Sequence, residues 1–373
     1  MKKWINLVFC ILFLVMLFCP LLSMDLRQNQ TSEIDNSYLP EITPALILEN
    51  GLSPTLEEYI NKRIGYRFEA LDIYQEINED VFGLLEHPSY MYGSDDHVYF
   101  KGDKFVHRYQ HRDLDQEEAD SFAQALAGFQ AYASSKGKLF LYWLLPDKET
   151  IYPEYYPDSI NSLGDLSYTD QILSALSKYD VRHHFGKDAM LSGKESMLVN
   201  NIKYDAGHWN QNGAFVSCQN LYSVFQQFYP NILPISQDDF IIDDVVQPFL
   251  DTSKIEINEY VPRYTLKESH AENKTEWLWD HVFFSFPNHY ATHYVNAQQS
   301  DMPKILFFSD SYLGGNEKFF KENFSQATFI HRYNCVSQDA FEYYVDILDP
   351  DIIVFENPER SLPIDLYQEF NKP

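Results

Sequence analysis

Cations are scarce in this 373-residue chain: 28 Lys and Arg stand against 55 Asp and Glu, a formal charge of −27. Phosphate binding needs clustered cations, so nucleic acid is not expected as the main partner. No block of like charge is long enough to form an acidic tail, and a solvated acidic surface accounts for the excess. Cysteine is sparse too, at four residues. Cys10 and Cys19 fall in an apolar run, which leaves Cys218 and Cys335 either to form one disulfide in an oxidising compartment or to stay free thiols. No Cys/His spacing reads as a zinc site, and neither a metal nor another cofactor is expected. Internal repeats and low-complexity tracts are missing as well.

Apolar and aromatic residues are plentiful. Hydrophobic residues make up 45% of the chain, with 27 Tyr and 28 Phe, enough for the core of one large α/β domain or two modest ones. Most of this aromatic load reads as core and interface packing. Lys2 and Lys3 precede WINLVFCILFLVMLFCPLLSM, about 20 uncharged residues and long enough to cross a bilayer. The lysines place everything after Asp25 outside the cytoplasm. A cleaved signal peptide is the competing reading, but LLSMD is a poor small-x-small site, so an uncleaved transmembrane anchor over 1–24 is expected. Residues 25–54, polar and Pro-containing, read as a stalk.

Helical spacing runs through 56–83, and HVYFKGDKFVH (97–107) reads as a hairpin turning at Gly102. An α/β rhythm follows: helix 115–137, strand from 138, helix 167–179, strand 181–185 and helix 210–229. Residues 230–300 interrupt it as an irregular, Pro-rich, aromatic insertion. It resumes with KILFFS, helix 315–324, ATFIHRY, helix 338–348 and DIIVFE (351–356). Alternating strands and helices predict a parallel sheet covered on both faces.

Ligands of such sheets sit at the carboxyl ends of the strands. There, KILFFSDSYLGG (304–315) ends an apolar strand with Ser309, Asp310 and Ser311 before Gly314 and Gly315. One cap would suffice for a plain turn, so a side chain held up for chemistry is the sharper reading, and a hydroxyl needs a base. In NIKYDAGHWNQNGAF (201–215), Asp205 precedes His208 by three positions. The carboxylate can take the proton on one ring nitrogen and leave the other free to accept from a hydroxyl. The plainer reading is that Asp205 or Asn210 caps the helix and His208 packs beside Trp209.

Together the two segments resemble the SGNH hydrolase superfamily in its permuted form, and more narrowly the alginate O-acetylation protein family and its DHHW relatives. LEEYINKRIGYRFEAL resembles the early helix of that family, with Lys62 where Asp is usual. LLPDKETIYPE resembles its Pro-Asp-Lys segment, DAGHWNQNGA its Asp/His-Trp segment and ILFFSDSY its nucleophile turn. DPDIIVFENPERSL resembles its closing strand. Ser309 stands where the family has Gly, and Asp205 lies three before His208 where these relatives often place it two before.

The resemblance implies an SGNH-like α/β domain over 55–373 with the insertion at about 230–300. It implies Ser311 as nucleophile, His208 as base and Asp205 as orienter, with Arg332, Asn334, Lys148, Tyr152 and Trp209 as substrate-side residues. The expected activity is O-acetylation of a cell-surface or exported polysaccharide, with acyl groups delivered by a polytopic membrane acyltransferase. An O-acetylesterase with the same three residues and a non-catalytic scaffold of an envelope polymer export complex are the alternatives.

Overall fold

Five of the expected strands become neighbours in one sheet. The computed structural model describes residues 2–27, 39–78, 81, 87, 89–112, 115–251, 255–362 and 366. It divides into two compact units: Met1–Tyr92 with Gln247–Glu259, and Gly93–Val246 with Tyr260–Pro373.

The second unit holds a seven-stranded sheet of β1 (Leu139–Leu145), β2 (His183–Phe185), β3 (Glu272–Asn273), β4 (Thr292–Val295), β5 (Lys304–Ser309), β6 (Gln326–His331) and β7 (Ile352–Pro358). Their spatial order is β2-β1-β7-β5-β6-β4-β3. The five strands from β2 to β6 are parallel, and β4 joins β6 antiparallel. The expected insertion therefore supplies two strands to the sheet edge. It also forms a separate two-stranded ribbon, Phe240–Phe249 with Glu256–Leu266.

Alternate side chains of each central strand enter two different cores. Leu139, Leu141, Trp143 and Leu145 join one, Phe140, Tyr142 and Leu144 the other. Helix Gln211–Phe225 closes the first face through Ala214, Cys218, Leu221, Tyr222 and Phe225. Helices Gln116–Ser135, Tyr168–Lys178 and Gln338–Leu348 close the second. Burial on both faces is why these strands read as continuous apolar runs rather than alternating ones. Each Leu, Ile or Phe so buried contributes roughly 1.5–3 kcal/mol. Cys218 and Cys335 lie in opposite cores and are both free thiols, so the sheet itself keeps them apart.

Two local expectations fail. Gly102 turns no hairpin: strand Val98–Phe100 is followed by helix Asp103–Tyr109, whose Phe105 stacks on Phe100 at 4.6 Å between ring centroids. Nor do residues 315–324 form an α-helix. Gly315 takes a positive φ of 75°, and the chain continues in tight turns bonded three residues apart, such as Phe319 N–H to Asn316 O. This path delivers Phe319, Phe320 and Phe324 to the first core.

In the first unit, Lys2–Leu22 is one helix, of which Trp4–Leu22 is long and apolar enough to cross a membrane. The helical stretch expected at 56–83 begins as two helices, Leu52–Arg63 and Arg67–Ile77, parted at Tyr66 with its positive φ of 58°. Residues 79–80 and 82–83 of that stretch lie outside the described residues. The segment read as a stalk contains helix Pro44–Asn50. The buried Arg63 guanidinium donates to the carbonyls of Asp25, Arg27, Leu39 and Pro40.

Candidate active site

Because β1, β7, β5 and β6 run parallel, their carboxyl ends gather at one edge of the sheet. Register pairs Ser309 with His331 and Pro358 with Leu145. Asp147, Ser311, Arg332 and Glu356 all lie in or just beyond these ends.

Ser309 is buried, ends β5 in regular pairing and has no positive φ, so a glycine is not needed there. The turn after it is organised by Asp310. Its backbone N–H donates to Glu356 Oε2 at 2.9 Å. Its Oδ1 accepts from the Tyr312 N–H at 2.9 Å, and its Oδ2 pairs with Arg332. With both oxygens and the amide anchored, Ser311 is left exposed at the crest of the turn. The Ser311 N–H has no protein acceptor among the described residues, so it is available to an acceptor from outside the chain. Glu356 is fully buried, and burial together with the adjacent Asp310 raises its carboxyl well above the usual range.

The second element is the loop before helix Gln211–Phe225. Asn210 caps that helix by accepting from the Gly213 N–H at 3.1 Å, so Asp205 is not spent on the cap. Asp205 instead closes its own turn: Oδ1 accepts from the N–H groups of Gly207 and His208, each at 2.8 Å. Its Oδ2 lies 2.8 Å from His208 Nδ1, and His208 Nε2 lies 2.8 Å from Ser311 Oγ. Burial alone would raise the Asp205 carboxyl. The hydrogen bond and charge of His208, with the two backbone N–H groups, outweigh it and hold Asp205 below the usual carboxylate range. An ionised Asp205 fixes the imidazole proton on Nδ1 and leaves Nε2 an acceptor facing the serine hydroxyl.

The structure thus brings Ser311, His208 and Asp205 together. It places the other five residues expected on the substrate side in buried positions with protein partners. Lys148, fully buried, donates to the carbonyls of Val98 at 2.9 Å and Ile202 at 2.8 Å, and its ammonium lies 3.5 Å from the Asp205 carbonyl. Tyr152 Oη accepts from the Val199 N–H at 3.2 Å. Trp209 Nε1 donates to the Tyr312 carbonyl at 2.9 Å. Asn334 Oδ1 accepts from the Phe286 N–H at 2.8 Å and its Nδ2 donates to the His331 carbonyl, so its amide is occupied in holding two loops. Arg332 is 3% exposed and serves Asp310. Each of these groups holds backbone or a carboxylate near the site.

Sequence reasoning passed over Asp310 and Glu356 as braces of the turn. A signal was there. A charged residue near the end of an otherwise apolar, two-face-buried run, as in DIIVFEN, must find a partner inside the protein.

No family model matches the chain, and no curated protein matches it. Solved structures do. PatB1 from Bacillus cereus is similar over 75% of this chain and 99% of its own, at 14% identity and a TM-score of 0.54. The same protein with a sulfonyl adduct matches at 12% identity and a TM-score of 0.54, over 75% of this chain and 98% of that one. A DHHW family protein from Eubacterium siraeum follows at 14% identity and a TM-score of 0.49, over 73% and 91%. The likeness to PatB1 is one of fold: the chain carries a mostly parallel α/β sheet with helices on both faces.

Proposed function

We propose that this protein is an extracytoplasmic O-acyltransferase that passes acetyl groups to a cell-surface or exported polysaccharide through an ester on Ser311. The observation that carries the reading is the unbroken line from Asp205 through His208 to an exposed Ser311 at a strand end, with 2.8 Å at each step. In the first half-reaction His208 Nε2 takes the hydroxyl proton as Ser311 Oγ bonds to the acyl carbon. The donor's C–O bond breaks, and the departing oxygen receives the proton from His208. In the second, a sugar hydroxyl gives its proton to His208 and bonds to the same carbon. The Ser311 ester breaks and the proton returns to Oγ. The Ser311 N–H is the first donor for the oxyanion in both.

The apolar helix near the N-terminus supports an anchored, outward-facing enzyme, and a membrane protein that carries acyl groups across the bilayer is the natural donor. Intact mass of the membrane-extracted protein checks the anchor, and a mature N-terminus near Asp25 overturns it. PatB1 has been solved with a sulfonyl adduct, and a sulfonyl fluoride is a suitable probe here. It should modify the protein once, at Ser311, and acetyl transfer from a chromogenic ester to a glycan should stop in proportion. Full activity in Ser311→Ala ends the proposal, and acyl release to water unaffected by any glycan acceptor recasts the protein as an esterase.

A further inference from the structure

Nucleophile and base stand on segments 103 residues apart, and chemistry needs their atoms held to within a fraction of an ångström. The residues on either side of the base, Gly207 and Trp209, both meet the residue next to the nucleophile, Tyr312. Trp209 Nε1 donates to the Tyr312 carbonyl at 2.9 Å. The Tyr312 hydroxyl lies 2.9 Å from the Gly207 carbonyl and 2.8 Å from Asp147 Oδ1, and its oxygen accepts from Arg360 Nη2. Arg360 in turn pairs with Asp147, Nε to Oδ1 at 2.8 Å. The Tyr312 ring also packs against the His208 imidazole, 4.9 Å between centroids, and against the Trp209 ring at 5.1 Å. Tyr312 is 1% exposed, so none of these bonds is traded against water.

We infer that Tyr312 is the positioning residue of the site: its two polar ends clamp the chain on both sides of His208 and so set the gap from Nε2 to Ser311 Oγ. The inference rests on the assignment of Ser311 and His208 above. Asp147 and Arg360 fix the clamp to the end of β1 and to the turn after β7. The phenol has one hydrogen to give, to Gly207 or Asp147, while Arg360 fills a lone pair and keeps that hydrogen turned towards them. A phenylalanine at 312 would keep the ring, the packing and the carbonyl bond to Trp209, and lose the hydroxyl's contacts with Gly207, Asp147 and Arg360. Asp147 and Arg360 would still have each other, so folding is not what the hydroxyl chiefly secures.

The test uses the full chain with a chromogenic acetyl ester, with thermal unfolding in parallel. Tyr312→Phe should lower kcat about 10- to 100-fold, as loosened alignment does, with KM within about twofold. The rate constant for sulfonyl fluoride modification of Ser311 should fall by a similar factor. Trp209→Phe releases the other end of the clamp, so the double variant should lose less than the product of the two single losses. Ser311→Ala serves as the reference. If it is inactive and Tyr312→Phe keeps the wild-type kcat and labelling rate, the clamp is wrong while the nucleophile stands. If Ser311→Ala is active, the functional assignment beneath it fails. A Tyr312→Phe protein that melts early yet turns over normally while folded also overturns the inference, because the hydroxyl then serves stability alone.

Discussion

Replacing Asp205 with asparagine tests the electrostatics of the site with almost no change of shape. The amide oxygen of the new side chain can still accept from the N–H groups of Gly207 and His208, so the turn should persist. An amide NH2 then faces His208 Nδ1, where a carboxylate oxygen stood at 2.8 Å. The ring answers by presenting Nδ1 as acceptor, which moves its proton to Nε2. Nε2 faces Ser311 Oγ and can then no longer take the serine proton. The loss of an orienting carboxylate by this route costs a serine protease about 10⁴ in turnover, and a fall of about 10³–10⁴ is expected here. The stability cost should be small, about 1.5–3 kcal/mol at most for one charge-assisted hydrogen bond.

The pH behaviour follows from the sign of the Asp205 shift. Its folded pKa is lowered, so its stabilising contribution is complete above the unfolded value of about 3.9 and is lost as pH falls through the lower folded value. Urea midpoints should therefore converge between wild type and Asp205→Asn on acidification below about pH 4. The assay is kcat/KM for a chromogenic acetyl ester from pH 5 to 9, with urea unfolding at neutral and acid pH. An asparagine variant within tenfold of wild type would refute the reasoning.

Ser311→Ala and His208→Ala should each lower kcat at least about 10³-fold, and the double variant should be little worse because the pair acts as a unit; multiplicative losses in steady-state assays would count against it. Lys148→Met should cost roughly 1–3 kcal/mol, since the Val98 carbonyl loses a buried donor, and should lower kcat more than it raises KM; a large KM increase with an unchanged melting temperature would return Lys148 to the substrate side. Burial and the neighbouring Asp147 push the Glu149 carboxyl up to about 8. A carboxyl with a raised folded pKa holds a proton that the unfolded chain releases, so its contribution declines as pH rises from about 4.3 towards 8. Glu149→Gln should then gain stability over wild type across that range, and parallel melting curves at pH 5 and 8 would refute the shift.

The sequence alone determined the elements whose cause is local. Two-face burial wrote the continuous runs of β1, β5 and β7, and Asp115, Ser167 and Ser337 cap their helices at the edges of the periodic stretches. The pairing of a Ser-Asp-Ser strand end with an Asp-x-x-His loop was also legible, because serine, histidine and aspartate at such places are chemically distinctive residue types. Tertiary structure decided the rest. No local rule distinguishes an α-helix from tight turns after Gly315; the burial of Phe319, Phe320 and Phe324 did that. Lys148, Tyr152, Asn334 and Arg332 look from the sequence like polar groups awaiting a ligand. Only the packed chain shows that buried carbonyls, amides and Asp310 take up their hydrogen bonds, since an unpaired polar group in the interior is costly. The 2.8 Å between His208 and Ser311 belongs to neither segment: the packed chain brings the two together, with Tyr312 bonded to Gly207 and Trp209 on either side of His208.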